Sequence, residues 1–586
     1  MKKSLFITLL TIPALFGTSC KDEIRQVNVY RKKGIVDKTI SVRFFKDSPN
    51  VPYISVPDFY KEFFDTEVTK MHGFKTGFDY FYMSPAKEFL CFSTNFDTFQ
   101  TIGFSSFDNN PNYSTSTGKL YIKFDKAETT ERQVKEIDLT KYGMKLYSRQ
   151  KEAYVPLTLL SDISGGLSGI DIAYNGKDVY FFDYQGLLGN ATNPATFGSE
   201  YISVLGNTNE SRKQDLANFN YNELCLVFDN FRGHTKQLVF GDDKLESLGL
   251  DKLLSTYHPK IKEYLLSVDK MKYYEGLTAL FNGLDDGGHT DLTLSFKALE
   301  DASSRNSEED FASLKNVTEQ HRLNYTGSRT SFLNSRKNVF DVEINDKKYY
   351  FYSPEYKTAF IGFNGFYLDV AGWDNFYNGK GEVPVETDTY AYIRKQMYQA
   401  KEDGAKNVVL DLTTNTGGSS YTLEGILGLF NKGQGYINTL DIVGGYTVKE
   451  SHLIDINLDG KWDDLDKEEA EKFNFNVGVL TSNVSFSCGN LLPFNMKELG
   501  FKIIGEKSGG GSCAVARDTT ADGISFAHSS YLCLTDRSGE NIDGGVEVDF
   551  AIAKSEISQH LYNCDAFFDV ETISNYLDNA YISSYN

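Results

Sequence analysis

Beyond its first twenty residues the sequence holds no apolar run long enough to span a bilayer, which excludes a helical channel or transporter. Positive charge is also short: 60 Lys and Arg stand against 80 Asp and Glu, a formal charge of −20. Such a surface repels phosphate backbones, so nucleic acid is not an expected partner. Apart from Cys20, cysteine is limited to Cys91, Cys225, Cys488, Cys513, Cys533 and Cys564, whose spacings suit neither a dense disulfide framework nor a zinc site. Cys488 and Cys513 lie in neighbouring Gly-containing loops and are the pair expected to bridge. What is plentiful is aromatic: 44 Phe and 37 Tyr suit β-rich domains and surfaces that grip sugars or peptides. A chain of 586 residues exceeds one core, and three or four domains are expected.

Lys2 and Lys3, the apolar stretch Leu5 to Phe16, and Gly17-Thr18-Ser19-Cys20 read as a targeting segment over residues 1–20. The small residues before Cys20 resemble the lipobox of bacterial lipoproteins, which implies lipidation at Cys20 and a membrane attachment through that anchor. Lys21-Asp22-Glu23 resembles the acidic tags of surface lipoproteins. The expected location is the cell envelope, at the outer membrane or cell surface.

From about 27 to 240 short alternating runs such as Thr39-Ile40-Ser41-Val42-Arg43-Phe44-Phe45 predict a β-rich region. Val51-Pro52 to Phe59 and Val155-Pro156 to Ile163 look like copies of one strand–turn–short-helix unit, with Asp58 matched to Asp162. From 245 the period becomes helical, and the helical segment ends in Asp285-Asp286-Gly287-Gly288-His289-Thr290. Residues 300–330, rich in Ser, Asn and Glu, read as a mobile connection, completing a 245–330 segment that carries His289. Residues 335–586 alternate strands and helices, so the fold class is α/β.

Within that last region two stretches share one pattern. Val408-Val409-Leu410-Asp411 runs into Thr416-Gly417-Gly418, and Val477-Gly478-Val479-Leu480 runs into Ser485-Phe486-Ser487-Cys488-Gly489. Each is a buried strand feeding a helix through a tight turn. Such turns gather backbone N–H groups and a hydroxyl at one edge, the arrangement acyl transfer requires.

Five motifs in order resemble the C-terminal (tail-specific) processing peptidases, in their tricorn-like serine–histidine branch. They are Asp286-Gly287-Gly288-His289-Thr290, Asp411 to Gly418, Ser485-Phe486-Ser487, Gly505-Glu506-Lys507-Ser508-Gly509-Gly510 and Gly545-Val546-Glu547-Val548-Asp549. The resemblance covers about residues 250–580 and implies a ClpP/crotonase-like spiral of ββα units. It further implies a serine endopeptidase acting on polypeptides, without a catalytic cofactor. Ser487 would be the nucleophile, His289 the base and Glu547 the orienting carboxylate, with Asp549 its rival. Backbone N–H groups of Gly417 or Gly418 and of Cys488 would receive the oxyanion. Lys507 stands four residues too early for the serine–lysine branch, and His528 is the reserve base. The alternative is a catalytically silent lipoprotein of the same fold that binds peptide, glycan or an apolar ligand; an esterase would use the same residues.

A second constellation lies between the two strand–turn units. Asp455, Asn457, Asp459, Gly460, Lys461 and Asp466 fall at positions 1, 3, 5, 6, 7 and 12 of an EF-hand-type calcium loop over 455–466. A structural Ca2+ is the expected occupant.

Overall fold

The computed structural model describes residues 22–582 apart from 33–34, 72–79, 84–88, 104–118, 168, 184–211, 235–237, 242, 294–296, 306 and 344–346. The targeting segment, Cys20 included, lies outside them. Among the described residues no helix is long and apolar enough to cross a membrane.

The alternating N-terminal runs build a seven-stranded sheet. Its order is Tyr147–Arg149, Glu152–Pro156, Ser48–Ser55, Ile35–Phe45, Glu23–Lys32, Val179–Asp183 and Ile170–Tyr174. In Ile35–Phe45 the side chains of Ile40, Val42 and Phe44 are buried while Thr39 and Ser41 are exposed, the period of two that one covered face demands. The two look-alike stretches both run a strand into a short helix: Ser48–Ser55 into Val56–Phe64, and Glu152–Pro156 into Leu157–Ser164. Their strands pair antiparallel, Tyr154 opposite Ser55. The helices are capped by Ser55 and by Pro156, so at the strand–helix junction the two units align on different residues from those the sequence suggests.

The C-terminal half is built on a six-stranded sheet ordered Lys348–Ser353, Thr358–Phe363, Asn407–Asp411, Asn476–Thr481, Lys502–Gly505 and Phe550–Ala551. All neighbours are parallel except the first pair. Val408, Leu410, Val477, Val479 and Ile503 enter one core, while Phe360, Val409, Leu480 and Ile504 enter another. A parallel sheet covered on both faces produces the continuous apolar runs seen in the sequence.

A second six-stranded sheet lies beside it, containing Asp291–Leu292, Ser525–Leu534, Gln434–Asp441, Tyr446–Ile454 and Ile122–Thr129, with Cys513–Thr519 also paired to Ser525–Leu534. Ile122–Thr129 comes from the N-terminal region yet completes this C-terminal sheet, so the two regions interleave.

Residues 300–330 are not the loose connection that their composition suggests. All of the described ones except 307 and 308 fall in the helices Lys297–Arg305 and Glu309–Phe340. The long helix buries Phe311, Leu314, Thr318, Ser328, Ser331, Phe332, Ser335, Arg336 and Phe340. Much of its covered face is small and polar, so hydropathy gives almost no stripe there.

Candidate active site

Two loops leave the carboxyl ends of neighbouring parallel strands, where ligands bind in open α/β sheets. The loop after Asn407–Asp411 is tied down from its first residue. Asp411 accepts Thr413 N–H at 2.8 Å and the Tyr349 hydroxyl at 2.7 Å, and Arg336 Nε lies 2.7 Å away. Arg336 also donates to Asn364 Oδ1, Thr413 Oγ1 and Thr414 Oγ1. The loop after Asn476–Thr481 is laced to the first: Ser482 Oγ donates to Thr413 O, Ser485 Oγ to Leu412 O, and Phe486 N to Asn415 O.

These bonds deliver Ser487 at the N-cap of the helix Cys488–Glu498 with φ 56° and ψ −121°. A non-glycine residue held in that region costs on the order of 1–3 kcal/mol and survives only where the surroundings over-determine it. Here Ser487 N–H donates to Gly510 O at 3.0 Å, and Gly417 presses from the other side. A Cβ on Gly417, whose φ is 101°, would lie 2.7 Å from Ser487 Cβ and 3.1 Å from Cys488 N. The first turn of the helix leaves Cys488 N–H without a partner among the described residues, pointing its partial positive charge to the same edge.

Of the two glycines named from sequence, Gly417 donates its N–H to Asn415 Oδ1 at 2.9 Å. That donor is engaged, so Gly418, whose N–H has no partner among the described residues, is the one left to join Cys488.

His289 arrives from outside this layer. Asp286 staples its turn: Oδ1 accepts the N–H groups of His289 and Thr290, each at 3.0 Å, and Oδ2 accepts the Thr290 hydroxyl at 2.7 Å. Gly287 and Gly288 take φ of 87° and 158° to make that turn, and its imidazole meets the Phe486 ring edge-on at a centroid separation of 4.8 Å. The histidine is thereby brought against the residue before Ser487.

Ser529 Oγ donates to Asp286 Oδ2 at 2.8 Å and lies 3.4 Å from His289 Nδ1. With its own proton given to Asp286, Ser529 can only accept from the ring, which puts the hydrogen on Nδ1 and the lone pair on Nε2. That is the tautomer a general base needs. Burial lowers the imidazole's pKa against the upward pull of Asp286, favouring the neutral ring. Burial alone would raise the Asp286 carboxyl, but the Arg232 guanidinium at 3.0 Å, with His289, holds it well below the usual carboxylate range.

Glu547 is not part of this arrangement. It lies on the surface with 73% of its side chain exposed, paired with Lys507 at 2.7 Å. Asp549 accepts Ile503 N–H and faces Lys497. The carboxylate beside His289 is Asp286, three residues before it, reached through Ser529. The motif contained Asp286 in plain sight, whereas nothing local marked Ser529. His528 is buried against Asp518 at 2.6 Å, on other business.

Sequence reasoning also missed a second imidazole. His234 Nδ1 lies 2.7 Å from Asp543 Oδ2, and Asp543 Oδ1 accepts Ser512 N–H at 2.6 Å, two residues beyond the carbonyl that holds Ser487. The pairing with His234 keeps the Asp543 carboxyl low although burial opposes it.

The expected Cys488–Cys513 bridge is not formed: Cys488 Sγ donates to Gly418 O at 3.1 Å, and Cys513 faces Cys533.

The 455–466 loop turns back on itself. Asp455 accepts Asp459 N–H, Gly460 N–H and the Tyr377 hydroxyl; Asn457 Oδ1 accepts Asp459 N–H, and Asp459 Oδ1 accepts Lys461 N–H. Asp466 accepts the N–H groups of Ile456, Asn457 and Asp463. The carboxylates are directed at backbone donors, and among the described residues no group of three or more His, Cys, Asp or Glu is placed to hold a metal ion.

The model of peptidase family S41 matches residues 366–552, so the chain carries a peptidase family S41 domain there. The match includes Gly417, Gly418, Ser487 and Cys488, and His289 lies before it. No curated protein sequence matches the chain. Among solved structures it is similar to a Parabacteroides merdae protein assigned as a peptidase, at 17% identity over 61% of this chain and 95% of that one, TM-score 0.37. It is also similar to the photosystem II D1 C-terminal processing protease, at 17% identity over 33% of this chain and 42% of that one, TM-score 0.24. A Bacteroides fragilis protein assigned as an S41 protease is 13% identical over 38% of this chain and 54% of its own, TM-score 0.26.

Proposed function

We propose that this chain, with its peptidase family S41 domain, is a serine endopeptidase in which Ser487 is the nucleophile and His289 the base. The observation that carries the reading is Ser487 itself, a strained residue at a helix N-terminus beside unengaged N–H groups. Ser487 Oγ attacks the scissile carbonyl as His289 Nε2 takes its proton, and Gly418 and Cys488 N–H groups face the negative charge that develops on the carbonyl oxygen. The imidazolium then returns the proton to the leaving amine, and a water activated by the same ring releases the acyl group. Asp286 acts through Ser529 to hold the ring and to oppose the imidazolium's charge.

A second reading of the base rests on the direct His234–Asp543 contact. Labelling by a fluorophosphonate probe separates the two. Wild type is expected to label, Ser487→Ala and His289→Ala to lose labelling, and His234→Ala to keep it. Loss in His234→Ala with retention in His289→Ala exchanges the bases. A folded wild type that does not label would leave a binding protein of this fold.

The proposal extends to tail-specific action on polypeptides outside the cytoplasm, to lipidation of Cys20 with a cell-envelope location, and to the ClpP/crotonase-like spiral as the architecture of the 335–586 region. The proposal also includes a structural Ca2+ in the 455–466 loop, which Asp455, Asn457, Asp459, Asp466 and the Lys461 carbonyl would hold, and no catalytic step uses it.

A further inference from the structure

Behind the Gly-rich loop two thiols face one another across a strand pair. Cys513 opens the strand Cys513–Thr519 and Cys533 lies near the end of Ser525–Leu534, and the two are antiparallel partners. Leu534 N donates to Ser512 O at 2.6 Å, a bond from the residue after one cysteine to the residue before the other. The cysteines are therefore a non-hydrogen-bonded pair, the closer of the two kinds, whose Cα atoms are ordinarily about 4.5 Å apart. A disulfide accepts Cα separations of about 4.4–6.8 Å. The Sγ atoms already stand 3.5 Å apart. Gly233 seals the pair: a Cβ there would lie 2.4 Å from Cys533 Sγ and 2.9 Å from Cys513 Sγ.

We propose that Cys513 and Cys533 are a covalent cross-linking site, closed to a disulfide when the chain meets a disulfide oxidant such as glutathione disulfide. One cysteine, as thiolate, attacks the oxidant and releases one glutathione thiolate, leaving a mixed disulfide. The second cysteine displaces the other glutathione, and each released thiolate takes up one of the protons that the cysteines lose. Two cysteine thiols are oxidised and one glutathione disulfide is reduced to two thiols.

The bond joins two strands that serve the site from opposite sides. Just before Cys513 lie Gly510, which receives Ser487 N–H, and Ser512, held by Asp543. Just before Cys533 lie Ser529, the partner of His289, and Ser530, bridged to Arg232. Cross-linking would fix the spacing between the nucleophile's loop and the histidine's support. The inference goes beyond the peptidase reading, because the thiol state is measured without any substrate.

The thiols are sealed, so the oxidant must reach them while the fold is open. The full chain is reduced and denatured, refolded in glutathione redox buffer, alkylated, and digested without reductant for mass mapping; native protein purified without reductant is mapped alongside. The expected result in both is a linked peptide holding Cys513 and Cys533, with a thermal midpoint several degrees above that of the reduced protein. Cys513→Ser and Cys533→Ser are each expected to abolish the linked peptide and that gain while leaving the reduced-state midpoint near wild type. Alkylation of both cysteines in folded protein from both preparations, linkage of either to another cysteine, or a gain that survives either substitution would overturn the proposal.

Discussion

Gly417 has room for a hydrogen and nothing more. A side chain there must push on Ser487 Cβ and Cys488 N, the atoms that set the nucleophile and one oxyanion donor. Gly417→Val is expected to lower the fluorophosphonate labelling rate on the order of 10²–10³-fold, the cost of losing one such donor. Circular dichroism matching wild type would assign the loss to the site. His289→Ala should cost on the order of 10²–10⁴-fold, and Ser529→Ala less, since it removes only the ring's Nδ1 partner. The pH profile follows from burial. Because the neutral imidazole is favoured, its protonation falls below the ordinary value of 6.5, and the acid limb of the labelling rate is expected below that pH. A limb centred above 6.5 would contradict the assignment of His289.

At the scale of elements, the long helix Glu309–Phe340 bears on the site chiefly through Arg336, while its Ser328 Oγ accepts from Asn483 Nδ2 at 3.4 Å in the loop before Ser487. Arg336 is buried, as is Asp411, and the arginine's donors hold Asn364, Thr413 and Thr414 as well. Arg336→Met would strand the Asp411 charge, and loss of one partner of a buried pair ordinarily costs about 3–5 kcal/mol. Denaturant unfolding is expected to show a loss of that order. The sequence could not announce this element, because its covered face uses Ser, Thr and Arg where a helix stripe normally uses Leu. The parallel strands were legible for the opposite reason: with both faces buried, Val408 to Leu410 and Val477 to Leu480 leave no polar interruption. The strand–turn–helix units could be read from apolar runs ending in Gly and Ser. The partner of His289 could not, because Ser529 sits mid-strand, 240 residues away, and only the tertiary fold brings it close. The 455–466 loop shows the limit of spacing alone, since residues at ligand positions serve equally as caps for their own backbone. Chelation with EDTA is expected to lower the thermal midpoint, and an unchanged midpoint would remove calcium from the loop.

The whole molecule is joined across a seam of carboxyl groups. Asp162 on the helix Leu157–Ser164, Asp171 on the strand Ile170–Tyr174, Glu223 on the helix Gln214–Asn230 and Asp518 on the strand Cys513–Thr519 gather where the N-terminal sheet meets the second C-terminal sheet. His528 pairs with Asp518, while Arg517 and Asp522 add their charges. Neither Asp162 oxygen has a partner among the described residues. Burial, and then the neighbouring carboxylates, push Asp162 well above the ordinary range; burial leads again in raising Asp171 to about 7 and Glu223 to about 8. Unfolded, each such group ionises near 4. Between roughly pH 4 and 8 the folded chain thus binds more protons than the unfolded one, so this contribution to stability is complete at the acid end and is lost as pH rises. His289, with its lowered pKa, acts in the opposite sense, but only below 6.5. The thermal midpoint is therefore expected to fall from pH 6.5 to 8.5. The buried His452, raised by Glu424 against its own burial, contributes a fall of the same sign. Asp162→Asn separates the two, since it removes one carboxyl from the seam and leaves His452 untouched. The variant should lose part of the pH dependence and gain stability at pH 8.5, and a midpoint that falls as steeply as in wild type would show that the seam does not govern it.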